Sequence, residues 1–260
     1  TTLRKMISAS AKISALAFNA PEDTKQVVDQ AEKLIFDVTN RDVQTSEESI
    51  EDIIGQLYEE LQTNSTKDAS ELGVQTGFAT LDNLFQGLRP GQMVVVGARP
   101  GVGKTSFALS MAYNAAVSGA TVALFSLEMS KIEIAQRLLA SESRIDLQTI
   151  RSAKIRNEQW PSILEAADRI SNLKIIVDDT PGTTVTEIRA KARRMLRGAE
   201  KGVIIIDYLQ LLSPPAERVR ADSRATEVSE MSRGIKIMAK DLQAPVIALS
   251  QLNRTLENRT

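Results

Sequence analysis

The stretch Gly97-Ala98-Arg99-Pro100-Gly101-Val102-Gly103-Lys104-Thr105 decides the fold, because its flanks have the form of a phosphate cradle. Met93-Val94-Val95-Val96 precedes it, apolar, β-branched and short enough for a buried parallel strand. Ser106 to Ser118 follows, with Phe107, Ala108, Met111, Ala112, Ala115 and Ala116 at helical spacing and Gly119 in the position of a C-cap. Strand, glycine loop and helix together turn the backbone N–H groups of residues 101 to 105 inward at a helix N-terminus. Unpaired donors and the positive end of the dipole attract phosphate there. Lys104 then reaches the β and γ phosphates of a nucleotide, and the Thr105 hydroxyl ligates Mg²⁺. The strict pattern G-x-x-x-x-G-K-[ST] has glycine where this chain has Ala98, with Gly97 one residue earlier. An ordinary Gly-Pro turn containing Lys-Thr is the competing reading, and it leaves the strand and the helix on either side unexplained.

Outward from this loop the pattern alternates. Strands are expected at 93–97, 122–127, 174–177, 203–206 and 246–249, and helices near 106–118, 130–142, 158–171, 185–198 and 225–242. Ser130-x-x-Glu133 and Thr184-x-x-Glu187 have the form of capping boxes. Such alternation predicts an α/β fold with a parallel sheet covered by helices on both faces, and active groups at the carboxyl ends of its strands. Upstream, Gly73 to Gly91 reads as a turn-rich lead-in to the first strand.

The strand ends carry the chemistry. An apolar run over 203–206 terminates in Asp207, which suits a carboxylate that holds Mg²⁺ through water; an Asp capping a loop is the plainer alternative. Strand 122–127 leads into Glu128. Placed on a strand adjoining the phosphate-loop strand, Glu128 would position and deprotonate the water that attacks the γ-phosphate, or else would merely favour the dipole of the helix it precedes. Strand 246–249 leads through Ser250 into Gln251, a neutral amide at the sheet edge suited to contacting the γ-phosphate and registering its loss, though nothing in the sequence forces that role.

Composition narrows the chemistry further. Neither cysteine nor histidine occurs among the 260 residues, so disulfides, zinc sites and imidazole or thiolate catalysis are excluded and any general base is a carboxylate. Hydrophobic residues make up 42%, enough for a sizeable core. The longest apolar runs fall well short of the roughly 18 residues of a membrane span, and no signal peptide is visible, so no membrane partner and a cytoplasmic location are expected. With a net charge of −1, any nucleic-acid surface must be local and its binding salt-sensitive.

Residues 1–43 read as two or three short helices broken at Pro21, with too little apolar surface to close a core. Because the chain opens at Thr1, this region is expected to be the end of a helical domain. Residues 44–71 read as a polar linker around an amphipathic helix at 46–62, capped by Thr45-x-x-Glu48 and striped by Ile50, Ile53, Ile54, Leu57 and Leu61. That stripe needs a partner surface, either on its own domain or on a neighbouring subunit.

Five motifs in order carry a resemblance. They are Thr76-Gly77-Phe78-x-x-Leu81-Asp82 with Gly87-Leu88-x-x-Gly91, Ala98-Arg99-Pro100-x-x-Gly103-Lys104-Thr105, Phe125-Ser126-Leu127-Glu128-Met129-Ser130, Ile206-Asp207-Tyr208-Leu209-Gln210-Leu211, and Leu249-Ser250-Gln251-Leu252-Asn253-Arg254. The chain resembles the bacterial DnaB-type replicative DNA helicases, within the RecA-like P-loop ATPases, strongly from about Leu72 to Thr260 and more loosely over Leu3 to Asn40. The resemblance implies a homohexameric ring that hydrolyses ATP between subunits, moves along single-stranded DNA and unwinds duplex, with primase and a helicase loader as further partners. It assigns nucleotide binding to Arg99, Pro100, Gly101, Val102, Gly103, Lys104, Thr105 and Ser106, and the catalytic base to Glu128. Metal binding falls to Thr105 and Asp207, and γ-phosphate sensing to Gln251. It also makes 72–260 an ATPase domain lacking the family's further strands, DNA-gripping loop and arginine finger, and makes the helix at 46–62 a linker helix that binds the adjacent subunit. Residues 213–224, with Arg218, Arg220 and Arg224, read equally as a DNA loop or a solvated one. The basic helix with Arg189, Lys191, Arg193, Arg194 and Arg197 reads as a solvated face. A RecA-like recombinase is the runner-up, and a nucleotide-switched ring assembly module the reading from another class.

Overall fold

The computed structural model describes residues 2–18, 27–32, 34–35, 49–64, 73–212 and 224–252. Two compact units divide the chain, Thr1–Ser65 and Thr66–Thr260. No helix of the described residues is long and apolar enough to cross a membrane.

In the first unit α1 spans Thr2–Phe18, residues 27–32 and 34–35 are helical, and α2 spans Ile50–Asn64. Ser49 starts α2 by accepting the Asp52 N–H at 3.1 Å, which satisfies one of the donors a helix N-terminus leaves unpaired. The helix thus begins at Ile50 rather than at residue 46, and the expected Thr45-x-x-Glu48 cap lies outside the described residues. Ile50, Ile53, Ile54, Leu57 and Leu61 are all exposed, by 44% or more of their surface.

In the second unit α3 (Ala79–Phe85) precedes β1 (Met93–Ala98), α4 (Lys104–Val117), β2 (Thr121–Ser126), α5 (Lys131–Ser143), α6 (Leu147–Arg151), α7 (Trp160–Ser171), β3 (Ile175–Asp178), α8 (Val185–Met195), β4 (Gly202–Asp207), α9 (Arg224–Asp241) and β5 (Val246–Gln251). The five strands form one sheet in the order β1-β5-β4-β2-β3, every pairing parallel. Alternation along β4 explains the layers. Val203 and Ile205 face one side with Val122, Leu124, Ile247 and Leu249, packed on α4 and α5; Ile204 and Ile206 face the other with Ala123, Phe125 and Ala248, packed on α8 and α9. Each fully buried aliphatic contributes about 1.5–3 kcal/mol, so this two-sided core supplies most of the sheet's stability. Ala108, Ala112, Ala115 and Ala116 on α4 are buried, and their small side chains let the loop's helix lie close against the strands.

Both capping boxes expected in the second unit are formed, by Ser130 with Glu133 and by Thr184 with Glu187. Two short helices escaped the sequence reading. α3 lies in the stretch read as turns, and α6 is held by Asp146, whose carboxylate accepts the Gln148 and Thr149 N–H groups. Asp82 of α3 accepts the Thr76 N–H at 2.7 Å, the Thr76 hydroxyl at 2.8 Å and the Gly77 N–H at 2.9 Å. Asn114 of α4 donates to the Thr76 carbonyl at 3.1 Å. At Gly77, φ is +77°, and a Cβ would lie 2.2 Å from the Asn114 side chain, so only glycine lets this segment lie on the loop's helix. The motif around Thr76, Gly77 and Asp82 is therefore a clasp between the lead-in and α4.

Candidate nucleotide site

The loop 99–103 leaves β1 and enters α4 through two glycines in left-handed backbone, Gly101 at φ +79° and Gly103 at φ +96°. A Cβ at either would meet nothing within 4 Å, so conformation rather than space demands glycine, and the hollow the loop encloses is open. Ala98 ends β1 in strand pairing with Gln251 and has no left-handed φ, which is why alanine serves where the strict pattern has glycine. Gly103 is the N-cap of α4 and no side chain caps the helix, so its first N–H groups are free of a side-chain acceptor. Such a terminus attracts an anion.

Beneath the loop, β4 delivers Asp207. Thr105 donates its hydroxyl to Asp207 Oδ2 at 2.7 Å, and Lys104 Nζ stands 3.4 Å from Asp207 Oδ1 and 3.9 Å from the centre of the Tyr208 ring. The two charged side chains are 9% and 3% exposed. Lys104 Nζ and Asp207 Oδ1 are buried, yet among the described residues neither makes a hydrogen bond. Buried groups of this kind ordinarily find partners, and the shortfall points to a ligand that completes them. Among the described residues no three acidic, histidine or cysteine side chains cluster to hold a metal unaided. One carboxylate and one hydroxyl converge, a set that suits a hard cation sharing its other positions with phosphate oxygen and water.

Glu128 is placed differently from the expectation. Its strand does not adjoin the phosphate-loop strand, because β5 and β4 lie between β1 and β2. What links it to the site is β4: Ser126 pairs with Asp207, and the Leu127 N–H donates to the Asp207 carbonyl at 2.8 Å. Glu128 follows directly and is exposed. Ser126 shapes this turn by donating to the Met129 carbonyl at 2.7 Å and accepting the Met129 N–H at 3.2 Å. Downstream, the Lys131 N–H donates to Asp179, a bond that, with the Lys131 ammonium, holds that carboxyl below the usual range. Gln251 ends β5, an interior strand, so the sheet edge it occupies is the carboxyl one. Residues 213–223 lie outside the described residues. In the basic helix Arg193, Arg194 and Arg197 are exposed and Arg193 pairs with Asp241 at 2.8 Å, whereas Lys191 is half-buried and pairs with Asp178 at 2.8 Å.

Sequence reasoning missed the contacts of Tyr208 and Gln210. The first lies under the lysine, and the second bonds to Ser250 and Gln251. Their spacing after Asp207 was the available signal, but no periodicity separates them from ordinary loop residues.

Residues 73–260 match the family model of the DnaB-like helicase C terminal domain. The replicative DNA helicase DnaB of Leifsonia xyli subsp. xyli is 40% identical over 99% of this chain and 56% of its own length. That of Geobacillus stearothermophilus is 37% identical over 100% of this chain and 57% of its own. The chain thus spans little more than half the length of the curated relatives it matches. Among solved structures, a DnaB-like replicative helicase described with its interactions with primase is similar at a TM-score of 0.78 and 33% identity, over 100% of this chain and 59% of that one. A second solved structure, described as an ATPase domain, is similar at a TM-score of 0.74 and 37% identity, over 83% of this chain and 75% of that one.

Replacing Lys104 by Ala is expected to weaken nucleotide binding about 100-fold, from loss of charge-assisted contacts of about 1.5–3 kcal/mol each. Titration with a fluorescent nucleotide measures it, and parental affinity in the variant would rule out the cradle.

Proposed function

Because the chain belongs to the family of DnaB-like helicases, we propose that it is an ATP-hydrolysing subunit of a replicative DNA helicase. It assembles with further copies into a hexameric ring and moves along single-stranded DNA to unwind duplex. The observation that supports this reading most is the convergence of Lys104, Thr105 and Asp207 beneath an uncapped glycine loop.

In this reading residues 99–106 wrap the phosphates of ATP with backbone N–H groups, and Lys104 sets its charge against the β and γ phosphates. Thr105 and Asp207 would hold Mg²⁺, which neutralises charge on the phosphates when bound. The unsatisfied Asp207 Oδ1 and Lys104 Nζ fit both groups. Glu128 orients the attacking water and accepts its proton, with the Leu127 to Asp207 bond keeping its turn against β4. Gln251 registers the γ-phosphate from the end of β5. Residues 1–43 are then the end of a helical N-terminal domain, 44–71 a linker, and 72–260 the ATPase domain. Single-stranded DNA, primase and a loader are the partners this reading carries, and the cytoplasm its location.

Turnover measured with and without single-stranded DNA tests the motor: stimulation by DNA is expected, and its absence would favour a nucleotide-switched assembly module. Such a module has no use for a general base. Glu128→Gln is therefore expected to retain nucleotide binding and slow hydrolysis by roughly 10²- to 10⁴-fold. Unchanged turnover would remove Glu128 from the mechanism.

The exposed stripe of α2 supports docking on a neighbouring subunit. Ile53→Asp with Leu57→Asp would put two charges into that contact, each costing several kcal/mol unless paired. Light scattering should report a smaller oligomer while circular dichroism stays native. A folded variant with the parent's oligomeric state would mean that the stripe does not serve assembly.

A further inference from the structure

β5 gains a partner that is not a strand. Its pairing with β4 runs from Val246 to Ala248, where Ile206 stands opposite, and β4 ends one residue later at Asp207. On the β1 side the pairing continues three residues further, Val96 opposite Leu249, Gly97 opposite Ser250 and Ala98 opposite Gln251, and the Leu252 N–H donates to the Ala98 carbonyl at 2.9 Å. The end of β5 would therefore be fastened on one side only. Gln210 fills the other side.

Gln210 lies in the short 3₁₀ turn Leu209–Leu211 that follows β4. Its carboxamide nitrogen donates to the Ser250 hydroxyl at 2.9 Å and to the Gln251 carbonyl at 3.1 Å, while its carboxamide oxygen accepts the Gln251 N–H at 3.2 Å. One side chain thus satisfies both backbone groups of Gln251, as a neighbouring strand would. A buried or half-buried backbone needs such partners, and a primary amide is the side chain that carries donor and acceptor together. Gln251 is held between Gln210 and Ala98, the residue from which the phosphate loop springs. Gln210 in turn lies three residues beyond Asp207.

We propose that Gln210 is a positioning residue that extends the strand pairing of β5 and so holds the Gln251 carboxamide in register with the phosphate loop and Asp207. This rests on the reading of Gln251 as the group that registers the γ-phosphate. Losing the three hydrogen bonds leaves nucleotide contacts of the loop intact and frees the end of β5. The effect therefore falls on the affinity for ATP and on kcat, and spares the affinity for ADP, which has no γ-phosphate.

Gln210→Met preserves length and volume but removes all three bonds. The probes are a non-hydrolysable ATP analogue and ADP, each titrated by fluorescence against the full chain and its Gln210→Met, Gln251→Ala and double variants, with thermal melting as the folding control. The expected result is that Gln210→Met loses about tenfold in its preference for the ATP analogue, the worth of roughly one hydrogen bond at about 1.4 kcal/mol per tenfold. Gln251→Ala should lose as much, the double variant no more than either, and ATP turnover should fall while affinity for ADP stays at the parent's. A Gln210→Met variant that keeps the parent's preference while Gln251→Ala loses it would overturn the proposal and leave the sensor reading standing. Unchanged preference in Gln251→Ala would overturn the sensor reading and the proposal with it.

Discussion

A lysine ammonium and an aspartate carboxylate, both nearly shielded from water and 3.4 Å apart without a hydrogen bond between them, are the contact on which the rest of this structure turns. Burying two charges costs several kcal/mol per ion, and the attraction offsets that cost only when the remaining donors and lone pairs are satisfied. Here they are not. Thr105 takes one oxygen of Asp207, the Tyr208 ring faces the ammonium, and on the proposed reading a ligand completes the rest. In the proposed function the protein thereby holds charged groups in a poorly solvated place before any phosphate arrives, which is the preorganisation that electrostatic catalysis requires.

The sheet explains how residues 102 positions apart in sequence reach one another. β1 lies two strands from β4, and α4, starting at Lys104, packs its alanine-rich face on the strands while Lys104 and Thr105 in its first turn meet Asp207 at the end of β4. Covering both faces makes this geometry stiff. Val203 to Ile206 are wholly buried, alternate residues packing on opposite helical layers, so Asp207 is delivered by a strand that has no freedom to shift. The carboxyl ends of β2, β4 and β5 then stand side by side, carrying Glu128, Asp207 and Gln251.

Local chemistry was legible and long-range order was not. The strand-loop-helix around Lys104, the strand positions to within a residue or two, and the capping boxes of α5 and α8 follow from patterns that involve neighbours in sequence. Strand order does not. Apolar runs of equal length say nothing of which lies beside which, and Glu128 was accordingly expected beside the loop's strand when β5 and β4 intervene. The helix α3 was hidden because Gly87, Pro90 and Gly91 dominate the composition around it, and its meaning lies in Asp82 reaching Thr76, a side-chain contact no periodicity encodes. Gln210 was hidden for a similar reason: its partners, the Ser250 hydroxyl and the Gln251 backbone, lie 40 and 41 residues away. The exposed stripe of α2 was legible as apolar surface in search of a cover, because amphipathic spacing reports which residues share a face.

On the proposed function, Asp207 and Thr105 form one half of a cation site whose other half is the nucleotide's own phosphates. Calorimetric titration of ATP with Asp207→Asn, in Mg²⁺ and in its absence, tests it most directly, since the amide keeps the shape of the side chain and removes the charge. The parent should bind more tightly with Mg²⁺ than without, and the variant should lose most of that difference while remaining folded. A variant whose affinity still rises with Mg²⁺ as the parent's does would show that Asp207 holds no cation.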